Sequence, residues 1–313
     1  MATASDIARA VALLRAGKLV AFPTETVYGL GADASSAQAV ARLYAVKGRP
    51  AQHPVIVHFA SAALAFQWAA AVPQSARMLA ERFWPGPLTL ILERGPAAKD
   101  FVTGAQDTVG LRVPSHPLAH RLLEEFGGGI AAPSANRFGR VSPTTARHVR
   151  DDLGSDVDLV LQGGESRVGI ESTIVDLSGD AAVLLRPGHL EKAELETVIG
   201  PLHERTAASP RHSGGLERHY APRTPALLVE TFRLDKEIAA HGDKVAVLAF
   251  SRPDERVDYW LRMPREPRAY AQRLYAALRE LDAAGCELIL VESPPLEPQW
   301  AAVLDRLRRA CGA

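Results

Sequence analysis

Several short segments place hydroxyls, cations and glycines where an apolar run ends, which is where α/β proteins bind ligands. Phe22–Gly31 (FPTETVYGLG) sets two threonines, a glutamate and a tyrosine directly after such a run. Hydroxyls such as that of Thr26 can hold a polar substrate there, and the same residues also make an ordinary capped turn. Lys47-Gly48-Arg49-Pro50 ends a helical pattern. Two cations at that point either complement the helix dipole or clamp a phosphate. His58 sits inside the apolar run Val55–Phe59, as a satisfied core histidine or as a ligand contact. Arg112 lies in the strand-like TVGLRVP. A buried guanidinium needs an anionic partner, either an acidic side chain or a substrate carboxylate that its planar fork binds through both oxygens.

Ala132-Pro133-Ser134-Ala135-Asn136 follows another apolar strand and holds the only asparagine of the chain. Ser142-Pro143 reads as a helix N-cap followed by the first helical residue. The free amides of that helix and the Ser142 hydroxyl would form an anion site. Ser172 precedes an expected strand over 173–177, and Arg186 ends the next one at Arg186-Pro187-Gly188. Arg218-His219-Tyr220-Ala221-Pro222 is an aromatic and basic cluster, fit for a site or for packing. No phosphate-loop signature and no nucleophile-elbow pattern occur. Gly29-Leu30-Gly31-Ala32-Asp33-Ala34 fits a dinucleotide fingerprint. The acid required about 20 residues later is absent, and Pro23 breaks the strand before it, so dinucleotide binding is disfavoured.

Alternating helical and strand patterns position these segments. Helices are expected from a Ser5 cap and over 36–46, 61–84 (two), 117–126 and from Ser142. Strands are expected over 19–22, 55–59, 88–92, 108–113, 130–132 and near 158–161, 173–177 and 182–186. Residues 200–224 lose periodicity and gather Gly, Pro, Ser and His, as a linker does. A second alternating unit follows, with strands at 226–230, 244–249 and 287–291 and helices at 235–241, 267–283 and 298–310. The expected organisation is a domain over 1–199, a linker over 200–224 and a small α/β domain over 225–313. Acidic and basic residues number 36 each. A neutral chain has no overall pull on a polyanion, which disfavours a dedicated nucleic-acid binder. The two cysteines, Cys286 and Cys311, have no zinc-ligand spacing, so no metal site is expected. No apolar run reaches the ~18 residues of a membrane span, and a cytoplasmic location is expected.

Taken in order, PTETVYGLG, KGRP, VIVH, WPGPLTLIL, DTVGLRVPSHP, APSANRFGRVSPT, GIESTIVD and LRPG resemble the YrdC-like family, the L-threonylcarbamoyladenylate synthases. The resemblance is dense over residues 5–190. HYAP at 219–222 and the α/β tail are similar to the two-domain form. It implies an open, twisted mixed α/β sheet with a large concave basic cavity, plus a small Rossmann-like α/β domain. It implies a nucleotidyltransferase that joins L-threonine, bicarbonate and ATP into threonylcarbamoyl-AMP with release of pyrophosphate, the first step of a tRNA modification. By the same resemblance, Thr26, His58, Arg112, Ala132 and Ser172 would hold L-threonine. Lys47, Arg49, His53, Thr108, Ser134, Asn136, Ser142, Arg186 and Tyr220 would meet ATP, with Lys47 and Arg49 as the catalytic cations. Mg2+ would accompany ATP, with no tightly bound organic cofactor. Downstream threonylcarbamoyl-transferase proteins are implied as partners, with no stable nucleic-acid complex and no membrane. The alternative is an RNA-binding or ribosome-maturation module on the same fold. The linker departs from the family pattern, reading SPRHSGGL over 209–216, and is expected to act as a lid.

Overall fold

The computed structural model of the chain describes residues 2–216 and 218–312; Glu217, in the expected linker, lies outside them. The chain divides into two compact units. The first takes residues up to Phe138, Pro143–Arg167 and Glu171–Gly215; the second takes Gly139–Ser142, Val168–Ile170 and the chain from Leu216.

The first unit begins with α1 (Ala4–Arg15), β1 (Val20–Phe22), β2 (Gly29–Asp33), α2 (Ala37–Lys47), β3 (Ile56–His58), α3 (Ala62–Phe66) and α4 (Gln74–Phe83). It continues through β4 (Leu88–Glu93), α5 (Asp100–Thr103), β5 (Thr108–Arg112), α6 (Pro117–Phe126), β6 (Ile130–Ala131), α7 (Ala146–Leu153) and β7 (Leu159–Val160). It closes with β8 (Thr173–Asp176), β9 (Val183–Arg186), α8 (Lys192–Ile199) and β10 (His203–Glu204). The strands form one mixed sheet in the order β10-β9-β8-β4-β5-β3-β6-β2-β1-β7. Its central strands are buried on both faces, as in Leu88–Leu92: Leu88, Leu90 and Leu92 pack into the larger core with helix residues such as Leu43 and Leu79, while Ile91 packs on the other face with Ile56 and Ile174 of neighbouring strands.

Three local expectations need correction. The helix expected from Ser142-Pro143 starts at Ala146, with Thr145 as N-cap, its hydroxyl accepting from the His148 amide at 3.2 Å. The Pro143 carbonyl accepts from the Tyr28 amide at 2.8 Å and the Thr144 carbonyl from the Ser166 amide at 3.0 Å. Those long-range bonds hold 143–144 outside the helix, so Thr145 rather than Ser142 is the N-cap of α7. At the N-terminus Thr3, not Ser5, is the cap, and it exchanges hydrogen bonds with Asp6 in a capping box. The Gly29–Asp33 segment is strand β2, antiparallel to both β1 and β6, rather than a turn. Gly31 is required there by close approach: a Cβ would stand 2.9 Å from the Phe22 ring and 3.0 Å from the Val20 carbonyl oxygen.

The second unit contains β11 (Ala226–Val229), α9 (Leu234–His241), β12 (Val245–Ala249), β13 (Tyr259–Arg262), α10 (Pro267–Asp282), β14 (Leu288–Glu292) and α11 (Ala301–Cys311). Its four strands are all parallel, in the order β11-β14-β12-β13, a Rossmann-like arrangement that includes one strand, β13, without a sequence signal strong enough to find. Both cysteines are free. Among the described residues no helix is long and apolar enough to cross a membrane.

Candidate active site

Strand register gathers the first group of side chains. His58 on β3 pairs with Arg112 on β5, and Arg112 pairs with Thr89 on β4. Residues directly opposite on neighbouring strands share a face, so all three project to the same side of the sheet. The Thr89 hydroxyl meets the Ser172 hydroxyl at 2.8 Å. Arg186, at the end of β9, donates to the Ser172 hydroxyl at 3.1 Å and to the Ser172 carbonyl at 3.0 Å. A polar row therefore crosses the sheet, hydrogen-bonded from Thr89 through Ser172 to Arg186 and continued in register by Arg112 and His58.

Arg112 is 4% exposed and its nearest anion is Glu25, at 2.6 Å. It also donates to the Thr26 hydroxyl at 2.9 Å, which in turn contacts the Thr24 hydroxyl at 2.8 Å. The second Glu25 oxygen accepts from the Ser115 amide at 3.0 Å. Of the two partners the sequence allows, the fold thus supplies an acidic side chain. The Arg112 Nε is nonetheless buried without a hydrogen-bond partner. That N–H is a donor that no group among the described residues engages.

His58 is fully enclosed. Burial first, and the neighbouring Arg112 charge second, push its pKa down to about 3. The imidazole is neutral at physiological pH, and its Nδ1 is buried without a partner. Ala132 is buried on the loop after β6, its amide donating to the Ile56 carbonyl at 3.0 Å.

The second group surrounds the C-terminal end of α2. Lys47 is buried, and its ammonium donates to the Ser134 carbonyl at 2.5 Å and the Asn136 carbonyl at 2.6 Å. Burial, and then the Arg49 charge, hold its pKa well below the ordinary value. Lys47 thereby ties the Ser134–Asn136 loop to α2, and Ser134 is itself bridged to Gly29. Asn136 is buried and donates to the Arg137 carbonyl at 2.8 Å. Arg49 donates to the Pro54 carbonyl at 2.8 Å and lies over the Phe138 ring, on which the His53 ring also packs. Thr108 is half-buried at the start of β5.

A strap of the expected linker joins both groups. Ser213 receives Arg186 on its carbonyl at 2.8 Å, and its hydroxyl is 3.4 Å from Arg49 and donates to the Pro54 carbonyl at 3.0 Å. Arg211 is fastened to Gln106 and to the Gly104 carbonyl. Residues 211–213 thus lie across Arg49 and Arg186.

Ser142 and Tyr220 belong to the second unit. Ser142 is fully buried. Tyr220, with φ of 60°, is packed by Tyr275 and lies beneath Arg306, 5.3 Å from guanidinium to ring centre. Glu25, Thr89 and Ser213 were not singled out from sequence. Arg112's need for an anion pointed towards a residue like Glu25, and Thr89 was visible as the one polar residue of LTLIL. Ser213 had no signal beyond its place in the linker.

Among the described residues there is no cluster of three or more His, Cys, Asp or Glu side chains that could hold a metal ion. What the site offers is oriented cations, hydroxyls and a neutral imidazole, suited to holding a carboxylate at one end and phosphates at the other.

Known proteins resemble this chain in sequence and in fold. A family model described as telomere recombination, covering the Sua5, YciO and YrdC proteins, matches residues 12–188. A second, described as the C-terminal domain of threonylcarbamoyl-AMP synthase, matches residues 190–312. The threonylcarbamoyl-AMP synthase of Pyrococcus abyssi is 41% identical over 97% of this chain and 93% of its own length. That of Bacillus subtilis is 41% identical over 98% and 93%. The crystal structure of Pyrococcus abyssi Sua5 complexed with L-threonine superposes with a TM-score of 0.92 at 40% identity, covering 98% of this chain and 94% of that one. The chain belongs to the threonylcarbamoyl-AMP synthase family and carries both of its domains.

Proposed function

We propose that the first unit binds L-threonine at the Arg112 end of the polar row and ATP at the Arg49–Arg186 end, and joins them through bicarbonate. The observation that carries this reading is the row itself, in which Arg112, bonded to Thr26, stands opposite Thr89 on the next strand, and Thr89 is bonded through Ser172 to Arg186. The Arg112 guanidinium receives the amino-acid carboxylate. Thr26 and Ser172 offer hydroxyls, neutral His58 a ring nitrogen and Ala132 a backbone wall. Arg49 and Arg186 face the phosphates, helped by Thr108, Ser134 and Asn136, with His53 beside the nucleotide. Ser142 and Tyr220 are carried only by the family resemblance.

The threonine amine captures the carbon of bicarbonate and forms a carbamate, its lost proton and the bicarbonate hydroxyl leaving together as water. A carbamate oxygen attacks the α-phosphorus of ATP. The bond from that phosphorus to the bridging oxygen breaks, and pyrophosphate leaves. No side-chain nucleophile is needed. The chain contributes proximity and oriented positive charge. Lys47 supports Ser134 and Asn136 in place, while Arg49 and Arg186 stabilise phosphoryl charge. Mg2+ would come with ATP on phosphate oxygens and water, which fits the lack of a metal cage among the described residues. The 211–213 strap leaves Arg49 and Arg186 as phosphates replace Ser213, and so acts as a lid. The product supplies threonylcarbamoyl-transfer proteins, and the work is done in the cytoplasm.

The test follows pyrophosphate release from ATP with Mg2+, bicarbonate and L-threonine, against L-serine and no amino acid. Release should require both threonine and bicarbonate. Arg49→Ala should lower it about 100 to 1000-fold. Threonine-independent release, or none from folded protein that binds ATP, overturns the reading. Salt-dependent RNA binding in that second case would replace it.

A further inference from the structure

The second unit has a cavity of its own that the reaction does not use. It measures about 620 Å³, within the range of small-molecule sites, and opens at the C-terminal edge of the parallel sheet. Its lining comes from the loops after all four strands, including Thr231, Phe250, Arg265 and Glu292. The neighbouring strands β11 and β14 lead into different helices, α9 and α11. α9 packs on the face bearing Val245, Val247 and Ala249, whereas Ala246 and Leu248 are buried on the opposite face. Strand order 1-4-2-3 with right-handed crossovers sends α10, the connection before β14, to the face away from α9, and α11, which follows β14, packs against α10. This is a topological switch point, where open α/β sheets hold their ligands.

The chemistry of the lining is specific. Glu292 ends the central strand β14 and is 7% exposed. Its carboxylate accepts the Thr231 hydroxyl at 2.9 Å and the Phe250 amide at 2.7 Å, and it has no cation partner. Each oxygen keeps acceptor capacity, and a carboxylate buried without a counter-charge is costly. The Tyr270 hydroxyl is also buried without a partner among the described residues. Phe250, Tyr270 and Trp300 form an aromatic cluster with centroids 5.5–5.8 Å apart, two of which line the cavity. Arg252 lines the cavity without a hydrogen bond or ion pair, and Arg265 donates to the Ser251 hydroxyl at 2.9 Å while lying over Phe250.

These features select a ligand class. Four acids line the cavity (Asp235, Asp254, Glu292 and Glu297) against two arginines, which disfavours a polyphosphate. The loops after β11, β12 and β14 (ETFRL, FSRPDER and SPPLEPQW) contain no glycine to cradle one. The acids do not form a metal-binding group among the described residues, and Asp235 is occupied by the amides of Asp254 and Glu255. What remains is a place for an ammonium on Glu292, an anionic group on Arg252 and Arg265, and an apolar body on Phe250 and Trp300. We propose that this crevice is a second ligand site, taking a small amino-acid-like zwitterion, separate from the L-threonine site of the first unit.

The experiment uses the full chain and every proteinogenic L-amino acid as probe. Binding is screened by ligand-observed NMR in the presence of saturating L-threonine. L-Threonine itself is tested by calorimetric stoichiometry, two per chain if it fills both sites. At least one amino acid should bind, and its Kd should weaken about tenfold or more in Glu292→Gln and in Arg252→Ala, as expected for loss of a charge-assisted contact. Pyrophosphate release should be unchanged without the bound amino acid, which separates this proposal from the catalytic one. Arg252→Ala guards against misfolding of the buried-site variant, because Arg252 is exposed and unpaired. Binding by none of the amino acids, or binding undiminished in both variants, overturns the proposal.

Discussion

Acid should destabilise the first unit through His58 in a way that a single substitution removes. The His58 pKa lies at about 3 because the imidazole is enclosed and faces Arg112, against an ordinary histidine value of 6.5. A depressed histidine pKa means that the folded protein stays neutral while the unfolded chain takes up a proton. Stability is complete above about pH 6.5 and falls as pH drops towards 3. At about pH 5 the pH is about 1.5 units below the unfolded value, at 1.36 kcal/mol per unit, which amounts to about 2 kcal/mol. His58→Gln cannot take up this proton. Urea unfolding near neutrality and at about pH 5, followed by circular dichroism, should show the wild-type chain losing about 2 kcal/mol more than the variant. Where the two units unfold separately, the transition of the first is the one to read. His53 and His116 also have lowered pKa values, but they titrate alike in both proteins and cancel. Equal losses in the two proteins would refute the claim that His58 is held neutral. A corollary concerns the ligand: threonine affinity should not change through His58 titration between about pH 6 and 8.

Two further outcomes follow from the same site. Arg112→Met leaves Glu25 buried with no cation and should cost about 3–5 kcal/mol of stability. Adding Glu25→Gln should recover most of it in chemical denaturation, while L-threonine binding stays lost in both. A double variant no more stable than the single one would mean that the 2.6 Å pair is not the cause. Gly31→Ala must displace the Phe22 ring or the Val20 carbonyl, so it should destabilise by about 1–3 kcal/mol, read as a lower thermal midpoint.

Much of the architecture was legible because periodicity reports burial directly. The helix over 117–126 matches α6 to the residue, and the strands over 88–92 and 108–113 match β4 and β5 within one residue. Strand β2 was hidden because its glycines and aspartate look like a turn, and only the neighbouring Phe22 ring explains them. Helix α7 was misplaced because Ser142 and Thr145 are equally good caps by type. The choice between them was made by Tyr28 and Ser166, amides distant in sequence. Of the site, the cations and hydroxyls were visible as residue types next to strand ends. Their partners were not, since Arg112 and Glu25 are 87 residues apart and Lys47 and Asn136 are 89.

Apolar period was enough by itself to set the α/β class, and the resemblance carried by eight short motifs in order pointed to the family and to the candidate residues. These are properties of local sequence and need no knowledge of which segments meet. Tertiary structure decided what each candidate touches. It gave Arg112 an internal carboxylate, turned Lys47 towards two carbonyls, and brought Ser213 of the linker onto Arg49 and Arg186. It also placed Glu292 without a counter-charge at a sheet switch point. The physical reason is common to all four. Hydrogen bonds and ion pairs act over a few ångströms of space, and only the folded path of the chain sets which distant residues come that close.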